Sequence, residues 1–280
     1  DRNPDNWRSS ELIATAASIV SEMGNHDRAA RIVAERFRVD LGPLASILRK
    51  IAGRSPRDAK RLAETITYES LGVSRKFTEA GYAYEATRFV IGAEMVRAGD
   101  NAGEEMMDGA IAALKATNPR YVSQFLPWLV RDMAAAGQAG RAEALIADLA
   151  ISAQGAAKAR IALAKFFMEK AQEAHVAQRS TDVDAFAAQA REIVAPISGK
   201  LEKALAELKV LAALAETMPA EQARAGLARA MPAVFDAPDG DAKLEALLAL
   251  AEAAAALPNL AAAERAAKEV DAVSARLQTK

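Results

Sequence analysis

The segment PRYVSQFLPWLVRDMAAAGQAGRA, residues 119–142, decides the fold class. On a helix turning about 100° per residue, Val122, Leu126, Leu129 and Met133 fall on one stripe. Tyr121, Phe125, Trp128 and Asp132 fall on a second stripe, roughly 100° around. Pro119 opens the run, where a missing N–H is harmless. Gly137 closes it, because glycine enters the left-handed conformation that ends a helix without a Cβ penalty. A new helical run begins at Arg141, and so short a connection makes the two helices antiparallel neighbours.

The same punctuation recurs at Met23-Gly24, Ala52-Gly53 and Ala98-Gly99. Between these stops the pattern predicts helices over 9–23, with Ser9 or Ser10 as N-cap, then 27–37, capped by Asp27, and 42–52, 56–71 and 74–98. Further helices are expected over 103–116, 119–136 and 141–150. Composition agrees: hydrophobic residues make up 51% of the chain and aromatics 5%, and alanine fills 69 of 280 positions. Alanine has the best helix propensity and lets helices approach closely. Period-two runs of β-branched residues are absent, so no strand is expected. The fold class is all-α, built of antiparallel helical hairpins.

The second half changes character. A helix over 156–178 is followed by a polar break at Ser180-Thr181-Asp182, then by a helical run over 183–218 interrupted at Pro196 and Gly199. Leu201, Leu205, Leu208, Ala212 and Ala215 form a narrow apolar stripe within that run. Two or three helices complete the chain, separated by Pro219, by 237–240 and by Pro258-Asn259. Phe235 is the one aromatic after Phe186. The expected organisation is a hairpin array over 1–180 and an Ala-rich helical subdomain over 181–280.

Charge narrows the function classes. With 36 basic and 37 acidic residues the net charge is −1, which argues against a dedicated nucleic-acid partner. No apolar run approaches the ~20 residues of a membrane span. Without cysteine there is no disulfide, thiol nucleophile or Cys-based zinc site. The first residue is Asp1, as in a chain whose leader has been removed or one excised from a longer protein. Export, to a bacterial periplasm, is the expectation, since a lack of cysteine costs an exported protein nothing, with the cytoplasm as the alternative.

Two turns carry a resemblance. Gly24-Asn25-His26-Asp27-Arg28-Ala29 and Gly137-Gln138-Ala139-Gly140-Arg141-Ala142 each place a glycine at a helix end and an alanine five residues later. In this the chain resembles tetratricopeptide-type (TPR-like) repeats, with Ala16 and Ala17 at the small-residue site of the first unit and Val130 standing there in the second. Gly53 and Gly99 depart from the pattern, and the glycine spacings are 29, 46 and 38 residues rather than a constant 34. The resemblance implies hairpins stacked as an α-α superhelix, a TPR-like solenoid, that holds a partner in a groove.

Chemistry-bearing constellations are sparse. His26 and His175 stand alone, without the two-ligand spacing a metal needs on a helix. Carboxylate pairs such as Glu104-Glu105 are not clustered, and neither a phosphate-binding glycine loop nor a Gly-x-Ser-x-Gly nucleophile turn occurs. No catalytic residue, metal or cofactor is expected. A basic cluster, Arg49, Lys50, Arg54, Arg57, Lys60 and Arg61 against Asp58, reads as a solvated face at a helix junction or as a contact for an anionic partner.

Half of the fourteen aromatics lie between Phe77 and Trp128. On the helix over 74–98, Phe77, Gly81, Tyr84, Arg88, Gly92 and Met95 share one stripe, and Tyr82, Ala86, Phe89, Ala93 and Val96 share another. Both stripes can be core, with Gly81 and Gly92 permitting close crossings and Arg88 paired with an acid such as Asp132. Alternatively they line a groove whose contact residues are Tyr84, Arg88, Tyr121, Phe125, Trp128 and Asp132, since aromatic and Arg side chains commonly anchor interfaces. The functional expectation is a non-enzymatic module that binds a protein or peptide partner. A small-ligand or enzymatic helical toroid, and a structural subunit assembling through the Ala-rich helices, are the rival readings.

Overall fold

The computed structural model describes residues 79–116, 119–149 and 152–278, with isolated residues between 16 and 60. The helices expected over 9–23, 27–37, 42–52 and 56–71, most of the basic cluster, and His26 lie largely or wholly outside the described residues. Ten helices follow one another from Glu79 onward, and no strand occurs among the described residues. They are α1 (Glu79–Arg97), α2 (Ala102–Lys115), α3 (Pro119–Ala135), α4 (Ala139–Leu149) and α5 (Ala153–Val176). Then come α6 (Ser180–Val194), α7 (Lys200–Leu214), α8 (Ala220–Phe235), α9 (Asp241–Ala256) and α10 (Leu260–Gln278). None is long and apolar enough to cross a membrane, among the described residues.

The glycine stops work as helix terminators through a specific hydrogen-bond pattern. At Gly99 (φ +83) the Asp100 N–H donates to the Met95 carbonyl at 2.9 Å and the Gly99 N–H to Val96 at 2.9 Å. At Gly137 (φ +80) the Gln138 N–H reaches Met133 at 3.0 Å and the Gly137 N–H reaches Ala134 at 2.9 Å. Gly24 (φ +84) carries the same long bond, from the Asn25 N–H to Val20 at 3.1 Å. This is the Schellman arrangement, which satisfies the orphan carbonyls of the last turn.

Some helices are entered through a side-chain cap. Asp100 Oδ1 accepts from the Ala102 N–H at 3.0 Å, Ser152 Oγ from Gly155 at 3.0 Å and Asn259 Oδ1 from Ala262 at 3.2 Å. After Gly24 the accepting side chain is that of Asn25, which takes the Arg28 N–H at 3.3 Å. The polar break placed at Ser180-Thr181-Asp182 is instead the first turn of α6, and Arg179 donates to Asp182 at 2.8 Å there. The turn itself is made two residues before Ser180 by Gln178, at φ +56, with the Arg179 N–H on Ala174 at 2.9 Å.

The chain divides into two compact units, 1–142 and 143–280. In the first, α1 packs against both α2 and α3. Phe89, Ile91, Met95, Met107, Leu114, Leu126, Leu129 and Met133 are fully buried there. The α1–α2 crossing is set by two glycines. A Cβ added at Gly92 would sit 2.6 Å from the Gly103 carbonyl oxygen, and one added at Gly103 would sit 2.8 Å from the Met95 Cβ. Such an approach excludes any side chain at the crossing point.

In the second unit α5 pairs with α6, α7 with α8 and α9 with α10, while α7 also packs against α5, α6 and α9. The narrow stripe expected on the 183–218 run is therefore too narrow. Leu205 and Leu208 are buried as read, but so are Ala204, Ala206, Val210, Leu211 and Leu214. A helix contacted on several sides carries a wider apolar arc than a one-sided surface helix, and its periodicity fades. Leu227, Val234, Leu247, Leu250 and Val273 complete the core that α7 shares with α8, α9 and α10.

Candidate interaction surface on the third helix

The two stripes of α3 separate as their chemistry requires. Val122, Leu126, Leu129 and Met133 are all buried. Phe125 and Asp132 are half-buried, and Trp128 is 65% exposed. The Phe125 and Trp128 rings meet edge to face, with centroids 6.1 Å apart and planes at 69°. That contact holds the indole against its neighbour while most of its surface faces water, although full burial of such a ring stabilises by several times RT. Tyr121 lies on α3, but its side chain is outside the described part of the structure.

On α1 most of the described members of both stripes turn inward. Tyr84 is only 9% exposed, and Ala86, Phe89, Ala93 and Met95 are buried too. Burial pushes the Tyr84 phenol above its ordinary pKa, opposed by the positive charge of Arg88 and reinforced by the negative charge of Glu85. Arg88 finds its acid on its own helix: Nη1 donates to Glu85 Oε2 at 3.1 Å. The Glu85 side chain is 5% exposed against 32% for Arg88, so the guanidinium partly shields a carboxylate that would otherwise be costly to bury. Arg88 Nη2 also lies 3.8 Å from the position of a Cβ at Gly109, so it reaches over α2.

Tyr84 and Arg88 thus belong with Gly92 to the side of α1 that meets α2, while Phe125 and Trp128 stand on the outer side of α3. Asp132 has interactions of its own. His175 is exposed on the last turn of α5. Among the described residues, no group of three or more His, Asp or Glu side chains is placed to hold a metal ion. A further concavity, between α6, α7 and α8, went unread in the sequence. It is lined from three helices, Ala195 and Gly226 among them, a relation no single-helix pattern reveals.

No protein-family model matches the chain, and no curated protein does. Among solved structures the chain is similar to BtubC (BKLC) from P. vanneervenii. The identity is 13% and the TM-score 0.36, over 84% of this chain and 93% of that one. A likeness that distant supports no inference about arrangement or function.

Proposed function

We propose that this protein is a non-enzymatic interaction module that holds a protein or peptide partner at a helical surface around Trp128. The observation that carries the reading is the exposure of that indole, 65% in a chain whose aromatics are otherwise few. Tryptophan is the residue most enriched among binding hot spots, and a ring already braced by Phe125 loses little freedom when a partner covers it.

We also read the hairpins as a TPR-like α-α superhelix. Supporting this are the side-by-side packing of α5, α7 and α9, each with its own hairpin partner, and the alanines five residues after Gly24 and Gly137. Ala29 and Ala142 are both 0% exposed, as residues packed at a hairpin crossing are.

The test is affinity capture with cross-linking, comparing the native chain with Trp128→Ala. The variant is expected to lose captured protein while its helical circular dichroism and melting stay unchanged. Capture of the same proteins in the same yield by Trp128→Ala would overturn the reading. Arg88→Ala is a poor companion variant, because it removes the cation beside the buried Glu85 carboxylate and lowers stability on its own account.

A further inference from the structure

The second unit contains a cleft of about 240 Å³ where α6, α7 and α8 converge. Its floor is apolar: Val194 from α6 and Val210 and Leu211 from α7, all buried. Two small residues line it. Gly226 faces Leu211 so closely that an added Cβ would sit 3.1 Å from both leucine methyls, and Ala195 ends α6 with only a methyl group.

The rim is cationic. Arg191, Lys203 and Arg229 stand around it, one from each of the three helices and all exposed, against the single half-buried carboxylate of Glu207. Among the described residues none of these three cations is held in an ion pair. In a chain with a net charge of −1, three unpaired cations around one apolar floor are a local excess that favours an anionic partner.

Size selects the kind of partner. A cavity of about 150 Å³ accommodates a benzene ring, whereas small-molecule sites run from about 300 to 1,000 Å³. The cleft therefore has room for one large apolar side chain and the backbone beside it, and little more. We propose that it is a docking site for an acidic peptide segment that inserts one phenylalanine- or leucine-sized side chain, with flanking carboxylates reaching Arg191, Lys203 and Arg229. This does not depend on the surface around Trp128, which belongs to the other unit.

The experiment uses the whole chain and a fluorescein-labelled peptide with one central phenylalanine between runs of glutamate, read by fluorescence anisotropy. Binding is expected, weakened about tenfold when the phenylalanine is replaced by alanine and at least as much when lysines replace the glutamates. It should also weaken severalfold between about 50 mM and about 300 mM salt. Arg191→Glu combined with Arg229→Glu should abolish it, and Ala195→Trp, which fills the cleft from an exposed position, should do so without altering rim charge. Trp128→Ala should leave it unchanged. Circular dichroism establishes that each variant is folded.

The proposal fails if the peptide does not bind at millimolar concentration, or if the alanine peptide binds equally well, which would mean bulk electrostatics alone. It fails too if the filled or charge-reversed variants bind as the native chain does. Binding of octanoate in the absence of peptide binding would assign the cleft to a small amphipathic anion and overturn the peptide reading.

Discussion

Arg276 of α10 grips Asp239, in the turn before α9, with two nitrogens: Nε donates to Oδ2 at 2.6 Å and Nη2 to Oδ1 at 3.2 Å. Arg276 also donates to Glu269 at 2.9 Å, and Lys243, its side chain only 6% exposed, lies 3.3 Å from Asp239 and 3.5 Å from Glu269. Two cations and two carboxylates thus tie the entry of α9 to the body of α10. A fork-to-fork contact of this kind fixes geometry as well as charge.

A pH dependence follows from that clamp. The hydrogen bond from Arg276 holds the Asp239 carboxyl at about 2, below its ordinary 3.8, with Lys243 adding to the effect against some desolvation. The folded state therefore prefers ionised Asp239, and this contribution is fully present above about pH 4. It is lost as pH falls from about 4 towards 2. Urea denaturation between pH 6 and pH 2.5 should show stability falling in that window, and Asp239→Asn should flatten the part of the fall due to this group. An unchanged slope in the variant would remove the clamp from the account.

The α1–α2 crossing predicts opposite outcomes for two glycines on facing helices. Gly92→Ala drives a methyl group into the Gly103 backbone at 2.6 Å, so the helices must separate, at a cost of about 1–3 kcal/mol or more. Gly109→Ala meets nothing nearer than the Arg88 guanidinium at 3.8 Å. There the better helix propensity of alanine should add up to about 1 kcal/mol. Chemical denaturation of the two variants side by side checks both signs.

Gln178 marks a place where the chain departs from its own rule. Like Gly99 and Gly137 it takes a positive φ, but it carries a side chain there, at a cost of about 1–2 kcal/mol. Its residue is exposed. Gln178→Gly should stabilise the second unit by roughly 0.5–1 kcal/mol after the entropy glycine adds to the unfolded chain. Gly137→Ala should destabilise by a similar amount. Thermal melts of both would show the inversion, and a loss of stability in Gln178→Gly would refute it.

Adjacent residues on α3 should separate folding from binding. Leu129 is 0% exposed, so Leu129→Ala should cost about 2–5 kcal/mol, whereas Trp128→Ala should change stability by less than about 0.5 kcal/mol. A large destabilisation by Trp128→Ala would place the indole in the core.

Much of the fold was legible because the signals are local. Proline at 119 and glycine at 99 and 137 are signals within one turn of chain, and the four-residue stripe of α3 lies within one helix, which runs from Pro119 to Ala135 against the 119–136 expected. Its reading continued through Pro127, which α3 does contain. α7 was harder, since contact with four other helices erased the one-sided pattern that marks a surface helix. Gln178 was invisible as a turn because nothing in its side chain favours a positive φ. For the site, periodicity separated the two stripes of α3 but gave no sign of which α1 residues face solvent. Tyr84 is buried and Arg88 lies over α2, on the face where Gly92 lets that helix come close. That is a property of the pair of helices and of neither alone.

Within each unit the main helix pairings join helices one or two steps apart in sequence: α1 to α2 and α3, α5 to α6 and α7, α7 to α8 and α9. The loops that must close to form them are short, so little chain entropy is spent before a contact is rewarded. Proteins of such local topology fold in about microseconds to milliseconds. The glycine turns then act in time as well as in space. A turn already shaped at Gly99 or Gly137 brings the next helix home at once, whereas the turn at Gln178 must first force an ordinary residue into a left-handed bend. The α5–α6 turn therefore carries a conformational cost that the glycine turns avoid.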